Sequence, residues 1–260
     1  MVHTGHKGRI IVSANQKGGV GKTTTSHALV TGLTHKGYKA LAVDADPQGN
    51  LTYTMAAKEN EPGVYEVLKG AVASFEAIQN TAQGDIIGGN LMLSSADIEF
   101  TDTGREYLLA EALEPLRYIY DYIVIDSPPT LGILTINALT AAQDLIIPMG
   151  TDAYSIQGLS QLHTTIGKVK KHCNPNLVVV GILITRYSGR TILSRELKDA
   201  IQNQAAQAVN TTAFKTIIRE GIVVKEIQTQ QESLYTASPR SNATKDYMDF
   251  VDEYLERSMK

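Results

Sequence analysis

Arg9-Ile-Ile-Val-Ser-Ala-Asn-Gln-Lys17-Gly-Gly-Val-Gly-Lys22-Thr-Thr-Thr25 is the stretch that decides the fold. An apolar run, Ile10–Ala14, is followed by a glycine-rich turn and then by residues that begin a helix, and this order gives the glycines a phosphate-binding meaning. Gly18, Gly19 and Gly21 open backbone geometries closed to other residues, so that successive N–H groups, including that of Val20, can turn inward around an anion. The helix that follows points its positive end at the same place. Lys22 can reach β- and γ-phosphates, Thr23 offers a hydroxyl suited to Mg²⁺, and Thr24 completes the loop. A glycine-rich turn without a ligand is the competing reading, and the strand–loop–helix order leaves it little room.

Short apolar runs alternate with longer amphipathic stretches over the rest of the chain, which is the pattern of a parallel sheet covered by helices. Strands are expected at Ile10–Ala14, Ala40–Asp44, Leu91–Leu93, Tyr122–Asp126, Leu145–Pro148, Leu177–Ile184 and Ala213–Ile218. Several are apolar at consecutive positions, as strands buried on both faces are. Helices are expected at Thr23–Lys36, Thr103–Leu116, Leu134–Ala142, Ile156–Lys171, Ser194–Ala208 and Asn242–Arg257. In the last of these Tyr247, Phe250, Val251 and Tyr254 line one face. The segment Ala57–Asn90 is the hardest to read and is expected to hold short helices over one edge. There is no repeat, low-complexity tract or Pro/Gly-rich linker, so residues 1–260 read as one α/β domain, doubly wound, with a mostly parallel sheet and helices on both faces.

Two acidic segments follow the loop in sequence. Val43-Asp44-Ala45-Asp46-Pro47-Gln48-Gly49-Asn50 ends a predicted strand, at the edge where doubly wound folds bind ligands. Carboxylates two residues apart share one side of an extended chain, so Asp44 and Asp46 can both face a metal–phosphate site. A polar strand-end turn in which Asp44 caps a helix is the alternative. Tyr122-Ile-Val-Ile-Asp126-Ser-Pro-Pro129 is a buried aliphatic strand with a carboxylate at its exit. This is a Walker B pattern, in which Asp126 would hold Mg²⁺ through a water. None of the six histidines lies in a motif.

From position alone Lys17 could be a solvated loop lysine. Asn15-Gln16-Lys17-Gly-Gly-Val-Gly-Lys22-Thr-Thr-Thr25, however, resembles the deviant Walker A motif of the ParA/MinD group of P-loop ATPases. The resemblance to ParA/Soj-type partition ATPases covers nearly the whole chain. It includes the Asp44–Asn50 segment, Thr135-Ile-Asn137, Tyr154-Ser-Ile-Gln-Gly158, Gly181–Thr191, Thr216–Glu220 and Lys225-Glu226-Ile-Gln228. It implies ATP and Mg²⁺ as cofactors, and hydrolysis to ADP and phosphate with Lys17, Lys22 and Asp46 as catalytic residues. Lys17 would cross an ATP-sandwiched homodimer, Asp46 would position the attacking water, and Asp44 would support the magnesium shell with Thr23 and Asp126. Asp152, Arg186 and Arg219 would lie around ribose and adenine. The chain departs from the commonest Soj-like form at Arg219-Glu220-Gly221, where that form has Pro-Arg-Asn, within the segment that the resemblance sets against adenine. The resemblance further implies non-specific DNA binding by the ATP-bound dimer, release on hydrolysis, a ParB-like centromere-binding partner, and a cytoplasmic, nucleoid-associated role in plasmid or chromosome segregation.

Composition bounds these readings. The net charge of −3 gives no global sign of nucleic-acid binding. Between Lys168 and Lys225, though, ten basic residues face only Glu196, Asp199 and Glu220, a local excess of seven. Such an excess can form a salt-sensitive, sequence-independent phosphate surface, for which Arg190, Lys198, Lys215, Arg219 and Lys225 are the candidates. Ordinary solvated helix faces would have the same composition. The single cysteine, Cys173, excludes an internal disulfide and the interface cluster of the nitrogenase iron-protein branch. The polar stretch Met1–Arg9 holds no signal-peptide core, and no run approaches the ~20 apolar residues of a membrane span. The C-terminal helix has a mainly acidic polar face, unlike the basic membrane helix of MinD-like proteins, so no membrane partner is expected. With the loop starting at Lys17, an added N-terminal DNA-reading domain is not expected either. Two other functions remain open: a ParA-like ATPase that positions protein cargo over the nucleoid, and a P-loop metabolic or transport enzyme.

Overall fold

The computed structural model describes residues 7–189 and 192–258. Eight strands form one sheet: β1 (Arg9–Ser13), β2 (Ala40–Asp44), β3 (Ile78–Thr81), β4 (Gly84–Ile87), β5 (Tyr122–Asp126), β6 (Asp144–Gly150), β7 (Val178–Tyr187) and β8 (Ala213–Arg219). Their order is β3-β4-β2-β5-β1-β6-β7-β8, and every pairing is parallel except the β3–β4 hairpin. The longer helices are α1 (Lys22–His35), α2 (Ile133–Ala141), α3 (Ala153–His172), α4 (Ile192–Ala200), α5 (Ile222–Gln230) and α6 (Asn242–Ser258).

Alternation along the central strands divides the core in two. Ile10, Val12, Leu41, Val43, Ile123 and Ile125 face α2 and α3, whereas Ile11, Ala42 and Val124 face α1 and α6. Both faces are buried, which explains the consecutive apolar positions read from sequence. Ser13, Asp44 and Asp126 continue the α1-side rows at the carboxyl ends of their strands, in one register: Ser13 pairs with Asp126, and Asp126 with Asp44. The strand order reverses around β1, so the crevice above these three residues is where a doubly wound fold admits a ligand.

Six of the seven expected strands form, Ala40–Asp44 and Tyr122–Asp126 with the expected bounds and the others with ends moved by at most three residues. The exception is Leu91–Leu93, which lies in a 3₁₀ helix, Leu91–Ser95, started by Asn90, whose side chain accepts from Met92 N at 3.0 Å. Leu91 is 71% exposed, so this short apolar run is not a buried strand. The expected helix Thr103–Leu116 is broken into short turns by Gly104, at φ +90°, and by Pro115. A π-helical turn, Ile201–Ala205, interrupts Ser194–Ala208. Within Ala57–Asn90 one short helix forms, Val64–Leu68, but the edge itself is the β3–β4 hairpin, whose polar strands Ile78-Gln-Asn-Thr81 and Gly84-Asp-Ile-Ile87 carry little apolar signal. Helix α5 was not foreseen. The other edge, β8, is covered by α6: Glu253 accepts from the N–H groups of Lys215 and Thr216, and Asp246 from that of Arg219. These bonds cap donors that a bare edge would offer to another chain.

The hairpin is tied to the rest by Gln83. Its amide nitrogen donates to the carbonyls of Thr54 and Gln231, which leaves Oε1 to accept from Nε2 of His27 on α1 at 2.7 Å. Burial lowers the His27 pKa to about 4 against the raising effect of the Gln83 hydrogen bond. A folded-state pKa below the unfolded value means that the unfolded chain binds the extra proton. The stability is therefore fully present above about pH 6.5 and is lost as pH falls toward 4. The contribution of His27 alone falls by about 2 kcal/mol between pH 7 and pH 5. The difference between wild type and His27→Gln in urea unfolding over this pH range should show it; an identical pH dependence in the two proteins would remove His27 as a contributor.

Candidate functional site

The loop after β1 is held from both sides. Asn15 donates to the Pro148 carbonyl at 2.7 Å and accepts from the N–H of Lys17 at 3.0 Å. On the far side, Thr185 at the end of β7 donates to the Val20 carbonyl at 2.7 Å, and the Arg186 guanidinium donates to the Gly19 carbonyl at 2.8 Å. Gly19 and Gly21 have φ of +73° and +84°, which a side-chain-bearing residue rarely adopts. The Lys22 ammonium folds back over the loop to the Lys17 carbonyl at 3.2 Å. Lys22 is buried, which pushes its pKa down, while Asp126 and Asp46 pull it back up. Lys17 sits at the rim and forms an ion pair with Asp152.

Asp126 ties the loop helix to the sheet by accepting from the hydroxyls of Thr23 at 2.6 Å and Ser26 at 3.0 Å. Asp44 is fully buried, and its oxygens accept from Thr52 N, the Thr52 hydroxyl and Asp46 N. It thereby fixes the turn on which Asp46 is carried toward the cleft. Burial pushes the carboxyls of both Asp44 and Asp126 upward, and the charge of Asp44 adds to the rise at Asp126. Two carboxyls held up in this way, beside the Thr23 hydroxyl, are a donor set that a divalent cation would relieve, so the residues fit Mg²⁺. Among the described residues no cluster of three His, Cys, Asp or Glu side chains could hold a metal. A hard cation held here would take most of its oxygens from phosphates and water.

These groups open on a cleft of about 610 Å³ lined by Gly18, Gly19, Gly21–Thr24, Asp46, Gln48, Asn50, Tyr53, Thr54, Thr185, Arg186, Arg219, Glu220, Lys225, Gln228 and Tyr247, among others. Arg219 is held at its edge by a bidentate pair with Asp246, and Arg186, at φ +51°, pairs with Glu220 at 3.5 Å. Of the candidate DNA residues, Arg219 and Lys225 thus line this cleft. Lys215 is exposed on β8 and Lys198 pairs with Asp199; neither lines it. Arg190 lies outside the described residues. The sequence reading gave no role to Gln48, Tyr53, Thr185, Glu220, Gln228 or Tyr247. The signal for Gln228 was available: with Val224 and Lys225 it makes a four- and three-residue spacing, one helix face.

Residues 8–179 match the AAA domain family. The chain is 38% identical over 251 residues to the sporulation initiation inhibitor protein Soj of Bacillus subtilis, covering 95% of this chain and 98% of that protein. It belongs to the ParA/Soj-type P-loop ATPase family. Its fold is shared by cobyrinic acid a,c-diamide synthase of Mycobacterium smegmatis with bound ADP and magnesium. That match has a TM-score of 0.85 and 32% identity, over 97% of this chain and 96% of that one. The McdA–ATP complex of Cyanothece matches at a TM-score of 0.86 and 25% identity, over 97% and 98%. The doubly wound architecture is therefore as the sequence indicated. Among the described residues no helix is long and apolar enough to cross a membrane.

Gly89 is the tightest point beneath the site, because a Cβ there would lie 2.5 Å from the Asp44 carbonyl oxygen and 2.9 Å from that of Asp46. Backbone cannot yield as a flexible side chain can. Gly89→Ala should cost roughly 1–3 kcal/mol of stability in urea unfolding, and it should displace the Asp46 turn; unchanged stability would show that the contact is not tight.

Proposed function

We propose that this chain is an ATP-dependent DNA-partition ATPase, acting in plasmid or chromosome segregation, in which Mg-ATP binding drives homodimerisation and non-specific DNA binding and hydrolysis reverses both. The observation that carries the reading is two lysines on one phosphate loop: Lys22 folded over it and Lys17 at its rim. One lysine suffices to neutralise a phosphate in place. A second one at the mouth, held by the exposed carboxylate of Asp152, is placed to exchange that partner for a phosphate across a dimer face.

The loop N–H groups and Lys22 bind and stabilise the transferring phosphoryl group, and Asp46, fixed by Asp44 and Gln48, orients water. Mg²⁺, when bound at Thr23 with Asp126 behind it, neutralises charge on the phosphates. Lys17 is the group that senses a closed dimer. Arg186 and Arg219 at the cleft edge, and Asp152 beside Lys17, serve the ribose–base end of the nucleotide. Lys198, Lys215 and Arg190 belong to the DNA-facing surface. Lys225 and Arg219 serve DNA only where the cleft wall meets that surface. A ParB-like centromere-binding protein is the expected second partner, and a cytoplasmic, nucleoid-associated place follows. A second reading, an ATP-driven enzyme acting on a small substrate, draws on the likeness to the cobyrinic acid enzyme.

The test is DNA binding by Asp46→Ala protein with ATP, with ADP and without nucleotide, over a salt series. ATP-dependent, sequence-indifferent binding that weakens steeply with salt is expected. Binding in no state would end the partition reading and favour the small-substrate enzyme. In light-scattering measurements with ATP, Lys17→Ala should keep nucleotide but stay monomeric, and Lys22→Ala should lose nucleotide altogether; an ATP-dependent dimer of Lys17→Ala would remove that lysine from the switch.

A further inference from the structure

Helix α5 lines the cleft, and Gln228 joins it to the start of α1 behind the phosphate loop. Gln228 donates from Nε2 to the hydroxyl oxygen of Thr24 at 3.0 Å, and both residues line the cleft. A hydroxyl that accepts at its oxygen keeps its own proton to give. Thr24 begins α1 beside Lys22 and Thr23, so that proton is available to an anionic oxygen seated at the helix N-terminus. We propose that Gln228 is a positioning residue for nucleotide binding: it polarises the Thr24 hydroxyl so that Thr24 donates to a phosphate oxygen. The inference rests on the nucleotide-binding reading above and adds to it a residue from an element that the phosphate-loop pattern does not contain.

The surroundings hold Gln228 to this task. Helix α5 ends at Gln231, in a left-handed conformation at φ +55°. The Gln231 amide donates to the Tyr53 carbonyl at 2.9 Å, and its own carbonyl accepts from Gln83 at 2.9 Å. Gln83 also bonds His27 and the Thr54 carbonyl. The C-terminal end of α5 is thus fastened to α1 and to the turn Asn50–Thr54 that leads from Asp46, while Ile227 packs into the core at 2% exposure. A glutamine one turn from such an anchor has few orientations open to it, and a neutral amide satisfies the hydroxyl without adding charge beside the phosphates.

Four proteins test this: wild type, Gln228→Met (similar in volume), Thr24→Val and the double variant. The affinity of each for a fluorescent ATP analogue with Mg²⁺ is measured alongside thermal melting without nucleotide. Gln228→Met should weaken binding roughly five- to tenfold, with melting little changed. Thr24→Val should weaken it at least as much, and the double variant should be no weaker than Thr24→Val alone. Gln228→Glu reverses the hydrogen bond and adds a negative charge, and it should lose more affinity than Gln228→Met. Additive losses, or wild-type affinity in Gln228→Met, would overturn the proposal while leaving nucleotide binding intact. Failure of the wild-type protein to bind ATP would overturn the ATPase reading and this inference together.

Discussion

The bond between Asp126 and the first turn of α1 is the constraint on which the site depends. A carboxylate at the end of a buried strand accepts from Thr23 and Ser26, and so fastens the helix that presents the phosphate loop to the strand beside β1. Burying that carboxylate costs free energy, as its raised pKa records, and the two hydroxyls offset only part of the cost. The remainder leaves the crevice tuned for positive charge. Lys22 is a cation already there, itself disfavoured by burial and favoured by Asp126 and Asp46. The loop, the lysine and the acidic strand ends are one electrostatic unit.

Around that unit the chain builds two walls. The Asp46 turn and Asn50–Thr54 form one, pinned from below by Asp44, Thr52 and the close approach of Gly89. The other comes from the ends of β7 and β8 and from α5, where Thr185 and Arg186 grip the loop carbonyls and Asp246 immobilises Arg219. Gln83 and Gln231 join the two walls at the back. The α5 wall and the turn that carries Asp46 are therefore linked by hydrogen bonds.

The central strands were legible because strands buried on both faces must be apolar at consecutive positions, and α1 because the loop before it has a distinctive glycine spacing. The candidate residues Lys17, Lys22, Thr23, Asp44, Asp46 and Asp126 could be named from sequence because each lies at a strand's carboxyl end or in the loop and helix start that follow one; the structure adds how they stand around one crevice. The hairpin β3–β4 was not: its strands are short and polar and are held by Gln83, a residue more than fifty positions from His27 and almost a hundred and fifty from Gln231. Leu91–Leu93 misled because an apolar triplet does not reveal whether anything covers it.

The amino-acid sequence by itself determined the phosphate loop, the acidic strand ends and the parallel sheet, since these follow from backbone freedom and from local burial patterns. Tertiary structure alone decided that Arg219 is tied to Asp246, that Lys225 and Gln228 stand in the cleft, and that Asp44 bonds the Thr52 turn. Those outcomes depend on which distant donors and acceptors meet when helices pack on the sheet, and pairings over such separations leave no periodicity in the chain.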